Sequence, residues 1–104
     1  MSRKDDLDRI VSFLGNAAAH AALLPDDSFA RKEVVLYSSD AQDLFMAKHW
    51  NADELAYLKE KALARAKGEI RSRMRKYGFA EKDFDRFFLV AVEFVDSFVH
   101  QAKS

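Results

Sequence analysis

The groups able to carry chemistry in this chain are three histidines, the carboxylates and the basic side chains, because the sequence holds no cysteine. Disulfides, thiol nucleophiles, iron–sulfur clusters and cysteine-ligated zinc therefore have no ligands here. Glu93, Asp96 and His100 are spaced to share one face of a helix, where together they could hold a metal or form a small enzyme site. The ordinary reading of the same residues is a helix-end charge pair between Asp96 and His100. A di-iron helical bundle would need Glu-x-x-His pairs. The residues three before His20, His49 and His100 are instead Ala17, Met46 and Ser97. The zinc-protease motif, a phosphate-binding glycine loop and a dinucleotide fingerprint are also missing. No histidine follows an arginine at the spacing used by small ribonucleases of the four-helix nucleotide-binding class. Of Ser12, Ser28, Ser38, Ser39, Ser72 and Ser97, three fall at cap or turn positions, and none is placed by sequence beside a His and an Asp. These observations favour a non-catalytic protein with neither cofactor nor metal.

One segment stands out as a contact surface. Residues 51–78 carry eight Lys/Arg against four Asp/Glu, in a chain whose formal charge sums to zero. Wound at about 100° per residue, Ala64, Gly68 and Ser72 form a line of small residues away from the apolar stripe, flanked by Lys61, Arg65, Lys67, Arg71 and Arg75. Small residues four apart admit another backbone, and bordering arginines pair with carboxylates or phosphates. Gly68 inside a helix costs on the order of 1 kcal/mol relative to Ala, which calls for a packing reason. The alternative is an ordinary solvated face with weak helix pairs. A protein partner with an acidic surface fits this face better than nucleic acid. Balanced overall charge and the lack of aromatics interleaved with the arginines weigh against a nucleic-acid groove. Were nucleic acid the partner, the Arg71→Glu, Arg75→Glu double change would abolish a steeply salt-dependent binding.

The elements that position these residues are well punctuated. A first helix from about Lys4 to Leu24 follows from Leu7, Ile10, Val11, Leu14, Ala18 and Ala21, with Asp5, Asp6 and Asp8 at the positive end of its dipole. Pro25 ends it. Its Ala17–Ala22 segment is small on every side and permits close neighbours. A second helix from about Asp27 to His49 buries Ala30, Val34, Tyr37, Ala41, Leu44 and Phe45. It has a candidate break at Ser38-Ser39, and Val34–Tyr37 also reads as a short strand, one with no partner elsewhere in the chain. Asn51 and Glu54 make a box-like N-cap for a third helix, whose stripe runs from Leu55 through Leu58, Ala62, Ala66, Ile70 and Met74 to Tyr77. Gly78 is placed to take the left-handed C-terminal cap. A fourth helix from about Ala80 to Gln101 buries Phe84, Phe87, Phe88, Ala91, Phe94, Val95 and Phe98.

Leu89 and Val90 fall outside that last face. They mark either a dimer interface or a central helix four with helix two wrapped around it. Trp50 seals the corner between helices two and three.

Three Gly and one Pro are too few for the turns of an all-β fold. The longest apolar run, Phe87 to Val92, is too short to span a bilayer. Met1-Ser2-Arg3-Lys4-Asp5-Asp6 leads into an amphipathic stretch, unlike a secretory signal, so a cytoplasmic location with no membrane partner is expected. Links as short as Pro25-Asp26, Trp50-Asn51 and Gly78-Phe79 make successive helices antiparallel. The expectation is a single-domain, all-α, up-down-up-down four-helix bundle. Its expected work is protein–protein interaction or assembly through helix three, as a homodimer, with nucleic-acid binding by the same helix as the alternative.

Overall fold

Four helices form where the apolar spacing places them: α1 (Arg3–Leu23), α2 (Ser28–Met46), α3 (Ala52–Tyr77) and α4 (Phe84–Lys103), the last preceded by a 3-10 turn, Glu81–Asp83. The computed structural model describes residues 3–24 and 27–100, and the backbone of 101–103. Pro25 and Asp26, the expected stop between α1 and α2, lie outside the described residues.

The caps explain the boundaries. The Asp27 side chain accepts the Ala30 N–H at 2.9 Å and starts α2. Asn51 Oδ1 accepts the Glu54 N–H at 2.8 Å while Glu54 accepts the Asn51 N–H at 3.0 Å, a reciprocal box satisfying two end donors of α3. Gly78 closes that helix at φ 75°, and the Phe79 N–H reaches back to the Met74 carbonyl at 2.9 Å. Only a residue without a Cβ adopts this conformation cheaply.

Two boundaries differ from expectation. α2 runs through Ser38-Ser39 without a break. Its buried Ala30, Ala41 and Phe45 share one helical phase, and a kink would lift one half off α1. α2 also stops at Met46, short of His49, because the Trp50 indole N–H takes the Phe45 carbonyl at 2.8 Å and Arg3 takes the His49 carbonyl at 2.7 Å. Side chains thus replace the next helical turn in satisfying those carbonyls. α4 begins at Phe84 rather than Ala80. Phe79, still partly exposed, packs edge-on to Phe87 at 5.2 Å and to Tyr77 at 6.4 Å, which holds the intervening residues as a wrap. Tyr77, expected in the buried stripe, is about half exposed at the rim.

The centre of the bundle is α1. It packs on α2, α3 and α4, whereas α2 rests almost wholly on α1 and meets α4 only lightly, where Phe45 and Phe98 cross edge-to-face at 5.3 Å. A central helix four wrapped by helix two is therefore not what forms. The reason is side-chain size. Gly15, Ala17, Ala18, Ala19 and Ala22 are buried around α1 and let neighbours approach from several sides, while the phenylalanines of α4 require one deep face.

Helix direction alternates along the chain, yet the neighbours α1 and α3 are parallel. Asp8 meets Tyr57, Gly15 meets Arg65 and His20 meets Arg73, rising together. Leu7, Ile10, Leu14, Leu58, Ile70 and Val95 fill the space between α1, α3 and α4.

A polar corner fixes the other end of α1. The Arg3 guanidinium grips both carboxylate oxygens of Glu54 at 2.8–2.9 Å and lies 4.8 Å over the Trp50 ring, so Trp50 seals the corner under a cationic lid. Lys48 pairs with Asp6, and the Tyr57 hydroxyl donates to Asp8 at 2.8 Å. The bond from Arg3, helped by the Asn51 N–H, pulls the Glu54 carboxyl down to about 2. Lys48 likewise lowers Asp6. Among the described residues no helix is long and apolar enough to cross a membrane.

Candidate functional site

Lys61, Ala64, Arg65, Lys67, Gly68, Arg71, Ser72 and Arg75 are all solvent-exposed on α3, so the expected face exists as one outward surface. A Cβ built on Gly68 would meet nothing within 4 Å, so no packing inside the domain explains this glycine. The basic border divides into committed and available groups. Arg65 lays its stem on Gly15 and its guanidinium 3.7 Å from Glu69, which ties it to the α1–α3 seam. Lys61 sits 5.8 Å from the Tyr57 ring. Lys67 and Arg75 have no carboxylate partner among the described residues.

At its C-terminal end this face opens into a cleft of about 600 Å³ between α3, the 3-10 turn and the start of α4. Met74, Phe79 and Phe84 supply its apolar lining. Arg71, Arg75 and Lys82 set a basic rim, with Glu81 and Asp85 on the side of α4. The Arg71 guanidinium lies 4.5 Å over the Phe84 ring, itself stacked on Phe88 at 5.6 Å. This cation–π contact holds Arg71 at the mouth with its outer N–H groups toward solvent. An apolar pocket rimmed by oriented arginines accepts an apolar side chain flanked by a carboxylate. Arg71 and Arg75 were legible in the sequence as part of the basic border. Phe79, Phe84 and Met74 were assigned to core or link, and the turn that brings them together left no local signal.

A second polar cluster, not expected from sequence, surrounds His20, the one buried polar side chain among the described residues. It lies where the start of α2 and the end of α3 converge over α1, in a groove of about 480 Å³ that Glu33, Glu69, Lys76 and Tyr77 also line. His20 Nε2 is 2.8 Å from Arg73 Nη1 and 3.3 Å from Glu33 Oε2, and Arg73 turns its other arm to Glu69 at 3.2 Å. Arg73 can only donate, so Nε2 accepts and the ring is neutral with its proton on Nδ1. That Nδ1 is buried without a partner. Burial, and then the Arg73 charge, push the ring's pKa below its ordinary value, against the pull of Glu33 and Glu69. With its lone pair engaged by Arg73, this ring ties α1 to α3, meets α2 through the Tyr37 ring at 6.0 Å, and has no free lone pair with which to take a proton from a substrate.

Among the described residues no three of His, Asp and Glu converge as a metal-holding group. Asp96 pairs with Lys59 of α3 at 2.7 Å instead of with His100, which is exposed, as is Glu93. Leu89 and Val90 are 58% and 39% exposed. A larger exposed apolar set lies on α2, where Phe29, Val35, Leu36 and Met46 are each more than 60% exposed. No protein-family model matches the chain, and no curated protein and no solved structure is significantly similar to it.

Proposed function

We propose that this chain is a non-catalytic helical interaction module that docks an acidic protein surface on the outward face of α3 and works as a homodimer. The observation that carries the docking half is the cleft at the end of that face. Arg71 and Arg75 border an apolar floor of Met74, Phe79 and Phe84. Binding energy concentrates where an apolar anchor enters a pocket and charged groups pair at its edge. The line of Ala64, Gly68 and Ser72 extends the surface beyond the pocket, and the open space over Gly68 leaves room for a partner backbone.

The Arg71→Glu, Arg75→Glu variant should keep its helical content and lose at least tenfold in affinity for the captured protein partner. Affinity capture from native extract with wild type and variant, with protein and nucleic acid both quantified, checks this. Capture dominated by nucleic acid, falling steeply with salt, would assign the face to phosphate binding instead.

A further inference from the structure

Most of α2's length is apolar on two opposite sides. Its inner side buries Ala30, Ala41 and Phe45 against the bundle. Its outer side carries Phe29, Val35, Leu36 and Met46, exposed at 71%, 67%, 63% and 62%. Wound at about 100° per residue, these four fall within an arc of about 120° that also holds Lys32, Ser39 and Asp43. Among the described residues nothing covers this arc, since α2 rests on α1 and touches α4 only near its end.

The order of residues along the arc says what would cover it. Lys32 lies in the first half of α2 and Asp43 in the second, both exposed, and neither pairs with a charge of its own chain among the described residues. Their positions are symmetric about the midpoint between Tyr37 and Ser38. Phe29 and Met46 are symmetric about the same point, and so are Leu36 and Ser39.

A surface that binds a copy of itself about a two-fold axis must be self-complementary in this way. Antiparallel pairing centred on that midpoint sets Lys32 against Asp43 of the partner subunit, twice. It also brings Phe29 to the partner's Met46, and Leu36 over the partner's Ser39. Parallel pairing would instead stack Lys32 on Lys32 and Asp43 on Asp43. We infer that the occupant of the outer α2 face is a second copy of this chain, docked through antiparallel α2–α2 packing with paired Lys32–Asp43 contacts. This rests on the homodimeric half of the proposed function and names its interface. That interface is α2, where four large apolar residues are available against the two at Leu89 and Val90.

Sedimentation velocity of the full chain at micromolar concentrations and moderate salt tests it, with circular dichroism confirming that each variant is folded. Wild type is expected as a dimer and Leu36→Glu as a monomer. Lys32→Glu should weaken the dimer about tenfold, and Lys32→Glu with Asp43→Lys should return it to near wild-type affinity. Leu89→Glu should leave it intact. A double swap that fails to restore association would overturn the antiparallel register. A dimer untouched by the α2 changes and broken by Leu89→Glu would overturn the α2 interface while leaving the homodimer. A wild-type monomer throughout the range would overturn both.

Discussion

Gly15→Ala should destabilise the protein by about 1–3 kcal/mol, although alanine is the better helix former. A Cβ at Gly15 would fall 2.5 Å from Arg65 Cγ, 2.7 Å from Arg65 Cβ and 3.1 Å from the Ala62 carbonyl oxygen. Two of these atoms are fixed to the α3 backbone, so rotation of a flexible side-chain end cannot relieve the clash, and α1 and α3 must separate. That seam runs beside fully buried Leu14, Ala62 and Ala66, so separation opens the core. Gly68→Ala supplies the opposite case. It enters open space and should raise stability by about 0.5–1 kcal/mol, through helix propensity alone. Chemical denaturation of the two variants beside wild type reads both signs. A stabilised Gly15→Ala would mean that α1 and α3 do not pack as closely as described.

The His20 cluster makes the second large effect, one of pH. In the unfolded chain the ring titrates near 6.5, and in the fold its pKa lies lower. Between those two values the unfolded state binds more protons, so stability rises with pH across that interval. The contribution of the neutral, Arg73-bonded ring is complete above about pH 6.5 and is lost as pH falls through the folded pKa. Glu54 and Asp6 act in a lower window. Their lowered pKa values give stability that is present above about 4.5, and for Glu54 it is lost toward about 2. A fall in melting temperature between pH 7 and pH 5 is therefore assigned to His20. His20→Gln should flatten that segment while leaving the acid limb below pH 4.5 in place. Melting curves of the two proteins from pH 8 to pH 3 separate the windows, and an unchanged slope above pH 5 in the variant would remove His20 as its source.

What was legible in the sequence was local. The Asn51–Glu54 box and the Gly78 cap are made by residues within a few positions of each other, and both formed as their types require. The apolar stripe of α4 was readable by period, because Phe87, Ala91 and Val95 are buried on one face, whereas the second half of α1 is buried on several sides. Spatial neighbours were less readable. Leu89 and Val90, outside the main stripe of α4, left a central helix four as one of two readings, but centrality depends on how many sides can be approached, and the small residues of α1 decide that. The His20 cluster joins groups from α1, α2 and α3, with His20 and Arg73 53 positions apart, so only its Glu69–Arg73 helix pair had a sequence signature. The outer face of α2 was available to a helical wheel. Val34-Val35-Leu36 reads as strand-like in linear order, which hid that Val35 and Leu36 turn outward while Val34 turns toward the bundle. The basic face of α3 was found because charge excess survives without knowledge of packing. Its cleft was not, because Phe79 enters it through a turn.

Gly68→Leu separates a contact surface from a solvated one most directly. A Cβ there meets nothing within 4 Å, leucine is a far better helix former than glycine, and its side chain stands between the α3 backbone and anything approaching it. Capture from native extract, with wild type and Gly68→Leu compared by quantitative mass spectrometry at equal bait, should show the partner reduced at least tenfold while the variant melts at or above the wild-type temperature. Undiminished capture by a folded Gly68→Leu would contradict docking on this face of α3.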